Sequence, residues 1–275
     1  FHEALNAASA WKLPVVFVNE MNHWASTTPY RTTCNLEYIS QRAAGYQIPG
    51  VTVDGQDVLA VYAAAQEAIL QAGLSGSDRV GIVMGTAMDG VTTVAQTQAA
   101  FDEGKRVGPR FVPMTIGNIA AAQIAIAHGI HGPSLTLNTA CSAGGDAIMT
   151  ATMLLNSGEA DAVLAVGGES ILCPIVVSGL AQAKALSRRN DDPEHACRPF
   201  DADRDGFVIG EGGGALLIET EEHAVKRGAT IYARLAGWAN TSDAHHVTAP
   251  CPDGEGAARC MKLALAPVSY THLTL

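Results

Sequence analysis

An α/β fold, layered around a central mixed sheet, is predicted by three features of this 275-residue sequence. Residues 80–84 (VGIVM) and 161–167 (DAVLAVG) are continuous apolar runs of strand length, suited to strands covered on both faces. The stretch 117–128 (GNIAAAQIAIAH) is alanine-rich and small-faced, a helix able to pack closely. At 134–148 a short alternating run breaks at small residues and becomes a 3.6-type pattern, so a strand leads straight into a helix. Strands that alternate with helices build a sheet with helices on its faces. At 48% hydrophobic and 16% charged, the chain can bury a sizeable core in one or two domains.

Taken in order, 80–84 is the first buried strand, with Gly85 and Thr86 as its turn. The helix at 117–128 follows. Residues 134–137 alternate as a strand entering from Gly132-Pro133, and Asn138-Thr139 ends it. Ala147, Ile148, Ala151, Met153, Leu154 and Leu155 then mark a buried helix. Strands follow at 161–167, 215–219 and 230–236. Residues 210–215 (GEGGGA) satisfy a loose dinucleotide pattern, but such glycines must open a helix whose N-terminus faces the pyrophosphate. Here the strand-like ALLIE follows, so the glycines are read as allowing close backbone approach.

Cys141 sits where the strand turns into the helix. Unpaired N–H groups and the positive end of the helix dipole favour a thiolate there, so this sulfur would be a better nucleophile than an ordinary buried thiol, the alternative being a small, inert core cysteine. The six cysteines (Cys34, Cys141, Cys173, Cys197, Cys251, Cys260) show no CxxC pairing, which points to a reducing cytoplasm and neither zinc nor a disulfide framework. A formal charge of −10 argues against nucleic acid as partner. No run approaches the ~18 apolar residues of a membrane helix, and the start does not read as a secretion signal.

Five blocks in order carry a resemblance: GPRFVPMTIGNIAAAQIAIAHGIHGPS, NTACSAGGDAI, ADAVLAVGGES, AKALSRRNDDPEHACRPFDADRDGFVIGEGGGALLIE and TSDAHHVTAPCPDGEGAARCMKLAL. Through them, residues 71–266 resemble the beta-ketoacyl-[acyl carrier protein] synthases, the thiolase-like condensing enzymes of fatty acid and polyketide synthesis. The resemblance implies an incomplete thiolase-like fold, the nucleophile half plus the start of the second half. It also implies a decarboxylative condensation that gives a 3-oxoacyl product without metal or organic cofactor. Cys141 would take an acyl chain as a thioester, its own N–H helping to hold the oxyanion. His246, ahead of an apolar residue and Thr248, would hydrogen-bond the malonyl thioester carbonyl; His245 stands where an aromatic is more usual. The implied partners are acyl carrier protein with acyl and malonyl thioesters, and a second copy as homodimer. Lys105, Arg106 and Lys184 align with docking positions for that acidic carrier. Leu180 stands at the gate of the acyl pocket, usually phenylalanine, and Arg110 where an apolar residue is usual.

Residues 1–69 instead resemble the alpha subunit of thiamine-diphosphate-dependent 2-oxo acid and acetoin dehydrogenases. That resemblance implies a helix at 1–11 feeding a strand at 13–18, Asn22 as a metal-binding asparagine, and Trp24 offering its carbonyl. Met21 replaces the first asparagine of the pair, and the family's Gly-Asp-Gly aspartate would precede Phe1, so the magnesium site is expected to be vestigial. A fragment of such a dehydrogenase is the alternative function. The expected parts are 1–69, 70–267 and 268–275, with a junction between 61 and 74 that falls inside a helix. Natural fusions join whole domains through exposed linkers, so a join by misassembly or cloning is expected here. Residues 268–273 (VSYTHL) resemble a translated sequencing adapter and are set aside. The resemblance puts a second histidine, its supporting lysine and a glycine-rich phenylalanine loop beyond Ala266. Because such groups act as a unit, little or no condensation is expected of these residues by themselves.

Overall fold

The computed structural model describes residues 24–25, 28–29 and 65–267 apart from Glu67 and Gln71. The expected helix at 1–11, the strand at 13–18, Asn22, Cys34 and the tail at 268–273 lie outside the described residues. The described residues fall into two units, one holding 230–267 and the other the remainder up to Ala229.

In the larger unit, β1 (Trp24–Ala25) and β2 (Thr28–Pro29) pair antiparallel, Trp24 opposite Pro29. The main sheet has four strands, β3 (Val80–Thr86), β4 (Ser134–Asn138), β5 (Ala162–Glu169) and β6 (Gly212–Glu219), in the order β4-β3-β5-β6. Both neighbours of β3 run parallel to it, and β6 is antiparallel to β5, so the sheet is mixed as predicted. Around it lie α1 (Val91–Asp102), α2 (Phe111–Thr115), α3 (Ile119–His128), α4 (Ala143–Asn156), α5 (Pro174–Gln182) and α6 (Glu221–Lys226). The smaller unit carries α7 (Glu255–Leu265).

Strand alternation explains why the apolar runs are continuous. Ile82 and Leu164 pack on one face with Ala121 and Ile124 of α3 and with the helical residues Ala65 and Ile69. Val83 and Val163 pack on the other face with Ala147, Ala151, Leu154 and Leu155 of α4. Successive side chains thus enter different cores, and every residue of β3 is buried. Each fully buried Leu, Ile or Val contributes about 1.5–3 kcal/mol.

Several boundaries differ from expectation. Gly85 and Thr86 are not a turn: they continue β3 and pair with Leu137 and Asn138, so β4 also runs one residue further than expected. The missing side chain at Gly85 lets the strand pass beneath the start of α4. α3 begins at Ile119 rather than 117. Gly212 to Gly214 belong to β6, opposite Glu169 to Gly167, so no helix opens at that glycine run. A Cβ at Gly214 would meet open space, so close approach is not its role. Met153 is 46% exposed on the outer side of α4. Residues 230–236 form no strand; Ile231, Tyr232 and Leu235 are exposed there, and an apolar run without a pairing edge has nothing to hold it extended.

One polar cluster ties β6 to its surroundings. Glu219, nearly buried, receives both Nε (2.7 Å) and Nη2 of Arg227 and faces His223 Nδ1 at 2.7 Å, while Arg227 Nη1 donates to the carbonyl of Ala72 at 3.2 Å. Burial pushes the Glu219 carboxyl up, but the bonds from Arg227 and His223 outweigh it and hold the group below the ordinary carboxylate range.

Candidate active site

β4 delivers the chain to the carboxyl edge of the parallel strands. Ala140–Ser142 then make a single 3-10 turn, and α4 starts at Ala143. Ala140 has φ 53°, in the left-handed region that a side chain resists, so the change of direction is sharp. Cys141 is exposed in that turn, where the sequence predicted a strand–helix hinge. Ser142 Oγ lies 2.9 Å from the Thr139 carbonyl and 2.8 Å from the carboxylate of Asp146, which is buried in the first turn of α4. A carboxylate there suits the helix dipole and fixes the turn from its C-terminal side.

What seats this helix start is a set of glycines. A Cβ on Gly85 would lie 2.2 Å from the Ala143 carbonyl oxygen and 3.0 Å from the Gly144 nitrogen. Gly167, the β5 partner of Gly85, faces Gly144 Cα. With no side chain on either strand residue, α4 begins directly on the sheet, and Cys141 is held at its edge.

Carboxylates brace the same edge. Glu169 Oε2 accepts from Thr86 Oγ1 (3.2 Å) and from the amides of Ala87 (2.5 Å) and Met88 (3.0 Å), fixing the chain that leaves β3. Glu211 Oε1 accepts from Ser170 Oγ (3.1 Å) and the Leu172 amide (2.6 Å). Asp89 rests on Gly117 and lies 3.4 Å from Asn138 Nδ2, next to the turn. Sequence reasoning missed all three. A charged residue closing an apolar strand, as at Glu169, was the available signal.

In the smaller unit, His246 is exposed in a loop. Its Nδ1 accepts from the amides of Thr248 and Ala249, each at 3.1 Å. Two donors on Nδ1 leave the ring N–H on Nε2, which is therefore the atom able to donate to a carbonyl oxygen. The loop is braced on α7: Asp243 Oδ2 accepts from the Cys251 amide (3.0 Å), Arg259 Nη2 donates to the Ser242 carbonyl (2.8 Å), and a Cβ on Gly256 would collide with Asp243. Cys141 and His246 belong to different units.

The remaining predicted positions lie on the larger unit. Lys105 and Arg106 are exposed just after α1, Lys105 pairing with Glu103 at 2.7 Å. Lys184 is exposed just after α5 with φ 57°. Leu180 is half-buried on α5, and Arg110 is exposed immediately before α2. The backbone of Trp24 lies in β1. Among the described residues no group of three or more His, Cys, Asp or Glu could hold a metal ion, and no helix is long and apolar enough to cross a membrane.

Residues 44–224 match the family described as Beta-ketoacyl synthase, N-terminal domain, and residues 1–78 match the Dehydrogenase E1 component, in line with the resemblance of the opening segment. The 3-oxoacyl-[acyl-carrier-protein] synthase 2 of Rhizobium meliloti (strain 1021) is 44% identical over 225 residues, covering 78% of this chain and 53% of its own. The synthase of the same name from Synechocystis sp. is 45% identical over 208 residues, covering 74% and 50%. The chain thus spans about half the length of these curated relatives. Among solved structures, a ketosynthase bound to a hexaketide and in complex with its type II polyketide acyl-carrier protein superposes with TM-score 0.72 at 32% identity, over 80% of this chain and 57% of that one. A beta-ketoacyl synthase from Burkholderia phymatum STM815 gives 0.67 at 29%, over 76% and 52%.

Proposed function

The chain belongs to the beta-ketoacyl synthase family, and from that premise we propose that it carries the acyl-accepting site of a 3-oxoacyl-[acyl-carrier-protein] synthase, with Cys141 as nucleophile and His246 as electrophilic partner. The observation that carries the reading is the exposed Cys141 in a one-turn hinge between β4 and α4, with the helix start seated on Gly85. In the first step Cys141 Sγ attacks the carbonyl of an acyl thioester on the carrier protein. A new S–C bond forms, and the carrier thiol leaves with a proton. In the second, malonyl-carrier protein loses carbon dioxide, and its enolate oxygen is stabilised by the Nε2–H that the Thr248 and Ala249 amides leave on His246. The enolate carbon attacks the acyl-cysteine, a C–C bond forms, the S–C bond breaks, and the thiolate is restored.

Carrier docking through Lys105, Arg106 and Lys184 draws support from one backbone feature. Lys184 closes α5 in a left-handed conformation where glycine is preferred. A lysine there costs roughly 1–2 kcal/mol, which a role for its charge would explain. Leu180, on the same helix two residues before its end, remains our candidate for the gate of the acyl pocket. A homodimer and a cytoplasmic setting complete the reading.

Incubation with an acyl thioester of carrier protein, followed by peptide mass spectrometry, tests the nucleophile. The acyl adduct is expected on Cys141 and is expected to vanish in Cys141→Ala while persisting in Cys197→Ala, the other exposed thiol among the described residues. Cys251 is a poor competitor, because its hydrogen bond to Asp253 pushes its thiol up. An adduct elsewhere, or one that survives Cys141→Ala, overturns the assignment. A second reading attaches to residues 1–78 through their match to the dehydrogenase component, with Asn22 and Trp24 as remnants of a thiamine diphosphate site. Calorimetric titration with thiamine diphosphate and magnesium would favour it only if saturable heat appears.

A further inference from the structure

We infer that Asp146 is a positioning residue: through the Ser142 hydroxyl it holds the Cys141 peptide so that its N–H meets the oxygen of an incoming acyl carbonyl. The inference rests on the nucleophile reading of Cys141 and adds what aims that site. The turn that presents Cys141 is strained and loosely closed by its backbone. Ala140 has φ 53°, a conformation that persists only where the surroundings impose it. The backbone bond that spans Ala140 and Cys141, from the Ser142 amide to the Thr139 carbonyl, is long at 3.3 Å. The Ser142 hydroxyl reaches the same carbonyl at 2.9 Å and so closes the turn more tightly.

Ser142 stands at the N-cap of α4, where a hydroxyl ordinarily accepts from an amide of the first helical turn, yet it caps none. Its Oγ lies instead 2.8 Å from the Asp146 carboxylate, and its single proton is shared between that group and the Thr139 carbonyl. Asp146 is buried on α4 together with Ala143 and Ala147, so it ties the turn to the helix face seated on the sheet. The consequence falls on the Cys141 amide. The Ser142 and Ala143 amides are spent on the Thr139 and Ala140 carbonyls. That leaves the Cys141 N–H at the unbonded start of the 3-10 turn, where its direction is set by the peptide enclosed between Thr139 and Ser142. A carboxylate in the first turn of a helix also suits the dipole by itself. The two roles separate cleanly: a dipole role needs the charge, whereas a positioning role needs only a group that bonds to Ser142.

The test compares two reactions of the same sulfur on the whole chain, both followed by intact mass at one pH. Acyl transfer from a small thioester, octanoyl-N-acetylcysteamine, forms the S–C bond through an oxyanion and releases N-acetylcysteamine with the proton. Substitution on iodoacetamide forms an S–C bond with loss of iodide and builds no oxyanion. Ser142→Ala and Asp146→Ala are expected to slow acyl transfer at least about tenfold, part of what a lost oxyanion donor costs, while alkylation stays within about twofold. Asp146→Asn, whose amide can donate to Ser142 Oγ, should recover most of the acyl-transfer rate. Circular dichroism checks each fold, and Ser142 is exposed, so its variant keeps the test open even where the buried Asp146→Ala fails to fold. Equal slowing of both reactions overturns the proposal, because the turn is then displaced as a whole. Unchanged acyl transfer in Ser142→Ala overturns it, and so does Asp146→Asn as slow as Asp146→Ala, which would make the charge the agent. If the natural chain is alkylated at Cys141 but takes no acyl group there, the nucleophile reading fails and this proposal with it, a result distinct from the other three.

Discussion

Two neighbouring glycines make opposite predictions at the scale of single residues. A methyl group on Gly85 would press into the Ala143 carbonyl at 2.2 Å, backbone that cannot swing away, whereas one on Gly144 meets nothing within 4 Å. Gly85→Ala is therefore expected to cost on the order of 1–3 kcal/mol and to alter the alkylation rate of Cys141, because the helix start must lift from the sheet. Gly144→Ala, inside α4, should be neutral or stabilising by up to about 1 kcal/mol. Thermal melts and iodoacetamide kinetics on both variants check this; equal behaviour would remove Gly85 from the site. The position of Cys141 at a strand–helix hinge was legible in the sequence because a change of hydrophobic period can be seen locally. Glu169 and Asp89 were not, since their partners at Ala87, Met88 and Gly117 are set by how strands and helices meet. The tautomer of His246 was equally hidden, depending on amides that turn back on the ring only in the folded loop.

Among elements, β3 and β5 could be read directly, as both their faces are buried and no polar residue interrupts the pattern. The expected strand at 230–236 failed for the complementary reason: Ile231, Tyr232 and Leu235 give an apolar composition, but strand formation needs a partner edge that composition does not reveal. The attachment of β6 to α6 and to Ala72 is a matter of charge, and it makes stability depend on pH. Glu219 is held below the ordinary carboxylate range by Arg227 and His223. A carboxyl with a depressed folded pKa stabilises above its unfolded value, about 4.3, and loses that contribution as pH falls through the folded value. Melting temperature is thus expected to fall as pH drops below about 4, and this part of the fall should be absent in Glu219→Gln. At neutral pH that variant leaves Arg227 without its counter-charge, and urea unfolding should register a loss on the order of 3 kcal/mol. An unchanged acid profile would show that the cluster does not couple to folding.

For the molecule as a whole, the proposed docking of an acidic carrier protein on a chain of charge −10 poses an electrostatic question. At long range the two repel, but at 0.1 M salt charges more than about 10 Å apart are largely screened, so encounter depends on what lies at the docking face. Lys105, Arg106 and Lys184 are exposed on one unit, and they are the positions we assign to that face. Reversing all three to glutamate should leave alkylation of Cys141 by iodoacetamide unchanged, because a small neutral reagent feels little of the field. Cross-linking of Cys141 by carrier protein bearing a chloroacyl arm should drop at least tenfold, the order expected when local attraction becomes repulsion. Salt separates this from damage to the fold: added salt should slow cross-linking of the natural chain, where it screens attraction, and speed it in the reversed variant, where it screens repulsion. If the two respond to salt alike, the carrier approaches by another face. The net charge of the sequence could not have indicated this, because docking depends on which charges share a surface rather than on their sum.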